Sequence, residues 1–410
     1  MLNEKTIATI KATAPVLAEH GETLTRHFYE RMFVHNPEVA PYFNPAHQTA
    51  GKQQRALAGA IVAYANNIEN LEVLSGAVEL IAQKHASLLI KPEHYPIVGG
   101  NLLASIREVL GDAATDDILN AWAEAYGLLA NILMKREAEI YSDNAKKPGG
   151  WEGFKTFRVV RKEKESNNIT SFYLAPANGA PLAPFKAGQY ITVRLPTLNG
   201  QTTMRNYSLS DSPNQDWYRI SVKREQGMTA GTPEGYVSNL LHNSVEVGAE
   251  IEIAPPCGEF FFDADKDDGA QPLVLLAGGV GITPIMSIFK AALEVRPERK
   301  IILIHACLNE GVQPFQSTFD ALTKVYKNVT VHYRYSDPAT SGSQRTGNAS
   351  TGFVDAAYLD SVLPDQDARF YFCGPQPFMV NVYGILTARE IPEDNLQFEF
   401  FGPREALEAA

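Results

Sequence analysis

The sequence predicts a multidomain protein: an all-α domain, then an antiparallel β-barrel, then an α/β domain with a parallel sheet. Three observations support this prediction. The chain has 410 residues, which is more than one hydrophobic core usually holds. Apolar residues recur at helical spacing in the first third and in short strand-like runs in the second. In the last third, buried-type strands such as "PLVLLAGG" and "KIILIHA" alternate with helical segments, which is typical of a parallel sheet, and "SDPATSGSQRTGNAST" is typical of an exposed loop. We therefore place the domains at 1–147, 148–265 and 266–410, with "PGGWEG" as the first linker.

The composition narrows the range of partners and compartments. A formal net charge of −11 argues against nucleic acid and against anionic membranes. The longest uncharged run, "QPLVLLAGGVGITPIMSIF", is interrupted by Gly and Pro and predicts strand, turn and helix, so we expect no stable membrane insertion. The cysteines, Cys257, Cys307 and Cys373, form no C-x-x-C pair, which favours a reducing cytoplasm. The N-terminus lacks the apolar segment of a signal peptide, and nothing in the sequence demands more than a monomer.

A histidine lies on an apolar helix face in the helical third. The face precedes the Lys91–Pro92 break and carries Leu74, Val78, Ile81 and His85. Taken alone, His85 fits a core histidine bonded to a carbonyl better than it fits a metal ligand. Gln53 leads the apolar stripe of a second helix, and Tyr29 lies on a third. If these three side chains converge on one pocket, the pocket suits haem, because haem iron is commonly held by a neutral imidazole.

This third resembles a globin, and the resemblance implies roles for single residues. His85 matches the proximal haem ligand, and Phe43 matches the aromatic residue that packs on haem. Tyr29 and Gln53 match distal residues that assist O₂ binding. The narrow apolar distal pocket that the resemblance implies is lined by Phe28, Leu57 and Leu102.

The last predicted helix of this third brings a carboxylate toward the histidine. Its inward stripe runs through Leu129, Leu133 and Glu137, and Thr115 is the predicted N-cap. An anionic partner for the ring N–H of His85 would push electron density onto iron. The alternative is that Glu137 pairs with Arg136 or Lys84 on the surface. The globin resemblance favours a proximal network of His85, Glu137 and Tyr95, with Lys84 biasing the haem and flavin potentials.

The middle third carries "RNYS" after "AGQY" in a strand-rich segment. An arginine can pair with a phosphate, an aromatic face can cover a flavin ring, and a serine can bond its reactive nitrogen. With "GYVSNLL" downstream, the segment resembles the flavin-binding barrel of the ferredoxin-reductase family. The resemblance implies contacts to FAD from Tyr190, Arg205, Asn206, Tyr207 and Ser208. The sequence departs from the family pattern at two positions: Ala187 replaces the usual Pro, and Asn206 replaces the common Gln. Neither change removes a contact named above.

The last third carries a buried strand that runs into a Gly-rich turn and a helix start, "LVLLAGGVGITP". Glycines allow the backbone to approach a pyrophosphate, and a helix N-terminus favours anions. The turn is similar to that of ferredoxin-reductase-like nucleotide domains, which implies a site formed by Gly279, Val280, Gly281, Ile282, Thr283 and Pro284. In the same family, the turn with Cys373, Gly374 and Pro375 contacts the nicotinamide half. The terminal strand abuts the flavin, which implicates Glu399 in proton handling or tuning, together with Phe400, Phe401, Gly402 and Pro403.

The segment "HACLNEGV" bears on the choice of nucleotide. A 2′-phosphate requires a cation after the second strand of this domain, whereas Glu310 stands there. The sequence therefore predicts NADH rather than NADPH.

Taken together, the three sets of motifs resemble the bacterial flavohemoglobin family along the whole chain. The resemblance implies haem b with iron, FAD and NAD(P)H as cofactors. It also implies nitric oxide dioxygenase activity, an oxidoreductase reaction in which NO and O₂ become nitrate, serving detoxification under nitrosative stress. Two alternatives stay open: reduction of alkyl or lipid hydroperoxides, and an oxygen store or sensor. Whether a lipid occupies the distal haem pocket is also open.

Overall fold

The chain forms two compact units in a computed structural model that describes residues 2–43, 51–197, 202–227, 234–337, 348–364 and 367–401. The first unit contains the helical N-terminal part up to Lys146, and the second takes up most of the chain from Lys147 onward. Within the described residues, no helix has the length and apolar character needed to cross a bilayer.

The first unit consists of helices packed around one apolar core. Their bounds are α1 Glu4–His35, α2 Lys52–Asn66, α3 Ser75–Ser87, α4 His94–Leu110 and α5 Asp116–Lys146. Asn3 caps α1 by accepting a hydrogen bond from the Thr6 N–H at 2.9 Å. Thr25 ties α1 to α2, because its hydroxyl lies 2.9 Å from the Gln54 carbonyl. As predicted, α3 ends before the Lys91–Pro92 break.

An antiparallel sheet follows along the chain. Its strands are β1 Lys155–Lys164, β2 Ile169–Pro176, β3 Tyr190–Pro196, β4 Thr202–Ser208, β5 Tyr218–Lys223 and β6 Glu250–Ile253, and helix α6 Tyr236–Ser244 lies between β5 and β6 in the sequence. The strand order among the described residues is β4-β3-β6-β1-β2-β5. A bridge between Leu209 and Ile220 joins the two outer strands, so the sheet closes into the predicted barrel. No clear alternation in the sequence predicts β1, where only Phe157 and Val159 are buried.

A parallel sheet with helices follows. Its elements are β7 Leu273–Gly278, α7 Ile282–Val295, β8 Ile301–Cys307, α8 Gln316–Val325, β9 Val329–Tyr335, β10 Ala349–Thr351, α9 Ala356–Val362, β11 Arg369–Gly374, α10 Gln376–Ala388 and β12 Leu396–Phe400. Their order among the described residues is β10-β9-β8-β7-β11-β12.

One expectation for this sheet is wrong. The segment "SDPATSGSQRTGNAST" was predicted to be an exposed loop, but its end forms the edge strand β10, parallel to β9. Three residues are too few to show strand periodicity in the sequence. Residues 338–347 of the segment lie outside the described residues.

Candidate functional site

His85, which is partly exposed, belongs to a polar network around buried Glu137 and Tyr95. Its Nδ1 lies 2.8 Å from Oε1 of Glu137 and 3.2 Å from the hydroxyl of Tyr95. The Tyr95 hydroxyl also donates to the same Glu137 oxygen, at 2.5 Å. Glu137 is 1% exposed, so its carboxylate is held by these two partners in a dry site. Burial and the nearby Glu137 raise the pKa of Tyr95, which keeps its hydroxyl protonated as a donor.

The contacts of Arg136 bear on the surface alternative for Glu137. Arg136 does not pair with it; its guanidinium contacts Glu79 at 2.6 Å and Glu139 at 3.0 Å. A carboxylate only accepts hydrogen bonds, so Nδ1 of His85 donates to it, which leaves Nε2 as the ring atom that could bind a metal. No described residue bonds Nε2. A histidine whose outer nitrogen is fixed by a carboxylate is the usual arrangement for a metal-binding imidazole, so the donor set fits haem iron.

Neighbouring residues fix the network in place. Tyr126 donates to the backbone carbonyl of Tyr95 at 2.6 Å. A Cβ on Gly99 would lie 2.5 Å from the Tyr126 ring, so glycine is required there for the two helices to pack. Lys84, the remaining predicted proximal residue, is exposed on α3.

The predicted distal residues gather in the core of the first unit. Buried Phe28, Tyr29 and Leu102 belong to one apolar cluster, against which the partly buried Phe43 and Leu57 pack. The Tyr29 ring meets Phe28 edge-on at 4.9 Å and Phe43 at 5.7 Å. Burial raises the pKa of Tyr29, and its hydroxyl bonds the side chain of Gln53. Tyr29 is therefore a protonated donor in an apolar setting.

The predicted flavin residues lie on β3 and β4. Arg205 donates to the Met204 carbonyl at 2.6 Å, and Asn206 accepts from the Thr192 hydroxyl at 3.3 Å. Tyr207 is half-buried. The Ser208 hydroxyl forms no hydrogen bond with another described residue, so it is available to a ligand.

Tyr190 is fixed by its surroundings in the barrel. Its backbone pairs with Cys257 through hydrogen bonds of 3.0 and 2.9 Å. A Cβ on Gly258, which has a φ of +116°, would lie 2.8 Å from the Tyr190 ring. The ring therefore packs directly on the backbone that follows the bridge.

The two predicted nucleotide turns meet at the carboxyl edge of the parallel sheet. Cys373 pairs with Ala277 on the neighbouring strand, so both turns leave the sheet side by side. A Cβ on Gly281 would lie 2.2 Å from the carbonyl oxygen of Cys373, and one on Gly374 would lie 3.0 Å from Cα of Gly278. The carboxyl edge of a parallel sheet is where such domains bind ligands, and contact of this kind requires glycine.

The Gly-rich turn remains open beside this contact. Gly279 has a φ of +53°, and a Cβ on it would meet no atom within 4 Å. The N-terminus of α7 follows at Ile282, with Thr283 and Pro284 in its first turn. A left-handed glycine with free space beside a helix N-terminus fits a pyrophosphate.

The terminal strand β12 lies next to the second turn. Glu399 is the register partner of Cys373, and burial, reinforced by Glu399, raises the pKa of the Cys373 thiol. The thiol therefore stays protonated, and Cys373 presents a small neutral side chain at this turn. Phe400 is partly buried and Phe401 is exposed. Gly402 and Pro403 lie outside the described residues.

Two groups near the site were missed by the sequence analysis. Asp211, after β4, is buried and pairs with Lys290 on α7 and with Arg219. Ser287 on α7 also donates to the Asp211 carbonyl at 2.6 Å, so the nucleotide helix is tied to the barrel. His305 on β8 bonds the Gly279 carbonyl. A polar residue inside the apolar run "KIILIHA" was the available signal for His305; nothing in "SLSDS" singled out Asp211.

Comparison with known proteins finds three domain families in succession along the chain. Three family models match: Globin at residues 26–133, Oxidoreductase FAD-binding domain at 156–262 and Oxidoreductase NAD-binding domain at 275–383. The fold and the site thus define a globin fused to a flavin- and nucleotide-binding oxidoreductase module.

Relatives with the same domain order identify the family. A flavohemoprotein of Rhodopirellula baltica is 49% identical over 409 residues and covers 100% of both chains. The chain belongs to the flavohemoprotein family. A solved flavohemoglobin from Malassezia yamatoensis, with bound FAD and heme, has a TM-score of 0.84 at 28% identity and covers 98% of this chain and 100% of its own. The FAD/NAD-binding domain of a nitric oxide dioxygenase from Vibrio cholerae is 31% identical, with a TM-score of 0.53, over 61% of this chain and 99% of its own.

Proposed function

We propose that this chain is a nitric oxide dioxygenase that uses NADH, FAD and haem b to convert NO and O₂ to nitrate. The balanced reaction is 2 NO + 2 O₂ + NADH giving 2 NO₃⁻, NAD⁺ and H⁺. The observation that carries the proposal is the buried carboxylate of Glu137 on Nδ1 of His85. An anionic partner makes the imidazole a stronger electron donor, which favours oxygen chemistry over reversible oxygen storage.

His85 would hold the haem iron through Nε2, with Phe43, Leu57 and Leu102 packing around the ring. When bound, haem supplies an O₂-binding iron and FAD converts a two-electron donor into single electrons. Glu137 and Tyr95 keep the His85 ring in one tautomer and orientation. Tyr29, held by Gln53, donates a hydrogen bond to O₂, while Phe28 excludes water. Lys84 biases the potential of the haem.

The residues of the barrel would hold FAD. Arg205 pairs with its pyrophosphate, Tyr207 covers the flavin ring, and Ser208 offers its free hydroxyl to the ring nitrogen. Tyr190 packs near the adenine and Asn206 borders the ring. On the terminal strand, Glu399 tunes the site, and the ring is bordered by Phe400, Phe401, Gly402 and Pro403.

The two touching turns would hold NADH. The Gly-rich turn binds the pyrophosphate through Gly279, Val280, Gly281, Ile282, Thr283 and Pro284, and the nicotinamide half contacts Cys373, Gly374 and Pro375. We propose NADH rather than NADPH, because Glu310 lies in the turn Glu310–Val312 after β8 and would repel a 2′-phosphate.

We further propose domain limits of 1–147, 148–265 and 266–410, a monomer, and a cytoplasmic location, which suits three buried cysteines that form no disulfide. A lipid in the apolar distal pocket is compatible with these assignments.

The activity is tested with a nitric oxide electrode and a nitrate assay on the purified, haem- and FAD-loaded protein. We expect NADH-dependent NO loss, one nitrate per NO and one NADH per two NO, with nitrate formation abolished when O₂ is removed. NADH oxidation that is unchanged by NO contradicts the proposal. Preferential consumption of an added alkyl hydroperoxide would indicate a hydroperoxide reductase instead.

A further inference from the structure

His305 is a completely enclosed histidine inside the parallel sheet. Its ring is 0% exposed, and its Nε2 lies 3.1 Å from the carbonyl oxygen of Gly279. Its Nδ1 is buried without a hydrogen-bond partner among the described residues. A carbonyl can only accept, so the proton is on Nε2. Burial lowers the pKa of His305 to about 4, which keeps the ring neutral and in this tautomer at physiological pH.

The bond from His305 sets the direction of one peptide group in the Gly-rich turn. The described residues contain no cis peptide, so the peptide between Gly279 and Val280 is trans. In a planar trans peptide the C=O and the following N–H point in opposite directions. Since the Gly279 carbonyl points at His305 on β8, the N–H of Val280 points away from that strand, on a partly exposed turn.

The stability of the fold does not explain why a histidine occupies position 305. The residues before it on β8, Ile301–Ile304, are buried and apolar, as is usual for a parallel strand. An unsatisfied buried Nδ1 is unfavourable. The Gly279 carbonyl also accepts from the Ile282 N–H, so it would keep one partner without His305. A buried polar residue in an otherwise apolar strand breaks the usual pattern, and its contact with a binding turn indicates a role in binding.

We propose that His305 is a positioning residue for the nicotinamide dinucleotide: by holding the Gly279 carbonyl against the sheet, it keeps the Val280 N–H directed at the pyrophosphate. This inference rests on the proposed function, which places NADH at this turn. His305 itself does not touch the nucleotide.

The test compares three substitutions in the full-length, haem- and FAD-loaded protein. His305→Leu removes the donor, whereas His305→Gln places an amide N–H where Nε2 was. His332→Leu is the matched control. His332 lies on the neighbouring strand β9, where it pairs with Ile304, the residue before His305. The probe for binding is ADP-ribose, which contains the pyrophosphate and lacks the nicotinamide, measured by isothermal titration.

For His305→Leu we expect the Kd for ADP-ribose and the KM for NADH to rise about three- to tenfold, the effect of one hydrogen bond. The kcat at saturating NADH, the haem and FAD contents and the melting temperature stay at the wild-type level or above it. His305→Gln and His332→Leu retain wild-type affinity.

An unchanged Kd in His305→Leu overturns the inference, and so does a fall in melting temperature that accounts for the loss of binding. If His305→Leu does not fold, His305→Asn replaces it. Its amide is too short to reach Gly279, so wild-type affinity in that variant overturns the inference. Failure of the wild-type protein to bind ADP-ribose would instead contradict the NADH assignment in the proposed function.

Discussion

The Nδ1 atom of His85 and the Oε1 atom of Glu137 lie 2.8 Å apart, although 52 residues separate them in the chain. Glu137 is buried, so the protein keeps a carboxylate in a dry site where it stabilises one orientation and one tautomer of His85. Burying a carboxylate is unfavourable unless hydrogen-bond partners compensate for the lost water, and here His85 and Tyr95 are those partners.

Replacing Glu137 with Gln preserves the shape of the network but removes its charge. We expect the rate of NO consumption to fall about tenfold or more, as for other outer partners of metal ligands. The haem reduction potential should become more positive, because the imidazole donates less electron density. Spectroelectrochemistry and a nitric oxide electrode measure the two effects. Glu139→Gln, on the exposed side of the same helix, is the control; equal changes in both variants would contradict the assignment.

Tyr29→Phe removes the buried distal hydroxyl and leaves the ring packing intact. One hydrogen bond contributes about 0.5–1.5 kcal/mol, so the O₂ dissociation rate should rise up to about tenfold. Flash photolysis or stopped-flow mixing measures it. The matched control is Tyr64→Phe, since the Tyr64 hydroxyl donates to the Ala125 carbonyl at 2.8 Å. That variant should lose stability without a change in the O₂ dissociation rate. An unchanged rate in Tyr29→Phe removes Tyr29 from the O₂ site.

Gly281→Ala places a methyl group 2.2 Å from the Cys373 carbonyl oxygen and forces the two nucleotide turns apart. We expect a loss of about 1–3 kcal/mol in stability, the usual effect of overpacking, together with weaker NADH binding. Gly384 is exposed on α10, and a methyl group there would have no atom within 4 Å. Gly384→Ala should therefore stabilise the protein by about 0.5–1 kcal/mol. Thermal unfolding, monitored by flavin fluorescence, measures the stability of both variants. Unaltered NADH affinity in Gly281→Ala would show that the turns do not form the site.

Asp211 should make the stability of the second unit depend on pH. Burial acts to raise the pKa of Asp211, but Arg219 and Lys290 outweigh it, and the pKa lies below its ordinary value. A carboxyl with a lowered pKa in the folded state contributes stability that is complete above its unfolded pKa, about 3.9, and is lost as pH falls through the folded pKa.

Asp211→Asn should therefore lower stability by about 3 kcal/mol at pH 7, because it leaves buried Arg219 without its counter-charge. The gap from wild type should narrow once the pH falls below about 4. Urea unfolding monitored by flavin fluorescence at several pH values measures it, with exposed Asp265→Asn as the control. A gap that stays constant with pH would mean that Asp211 is not ionised in the folded protein.

Much of the architecture could be predicted from periodicity and turn residues. The strands "PLVLLAGG" and "KIILIHA" are continuous apolar runs because both faces of a parallel sheet are covered, and both formed as predicted. β1 and β10 were missed for opposite reasons. The first is mostly exposed, so its alternation is weak, and the second is held only by its pairing with β9.

The site was predictable where one helix face carried the information. Glu137 follows Leu129 and Leu133 on an inward line, so its approach to His85 could be inferred from spacing. The bond between His305 and Gly279 could not, because it depends on the register between β7 and β8, which no local pattern specifies. The same holds for Asp211 and Lys290, which lie 79 residues apart.

The central claim is that one chain transfers electrons from NADH through FAD to an iron held by His85. The most direct measurement is the absorbance spectrum of the haem- and FAD-loaded protein under carbon monoxide without oxygen, before and after NADH is added. We expect haem and flavin at one-to-one stoichiometry, bleaching of the flavin band and growth of the ferrous carbonyl band. A haem that stays ferric while NADH and FAD are both present would contradict it.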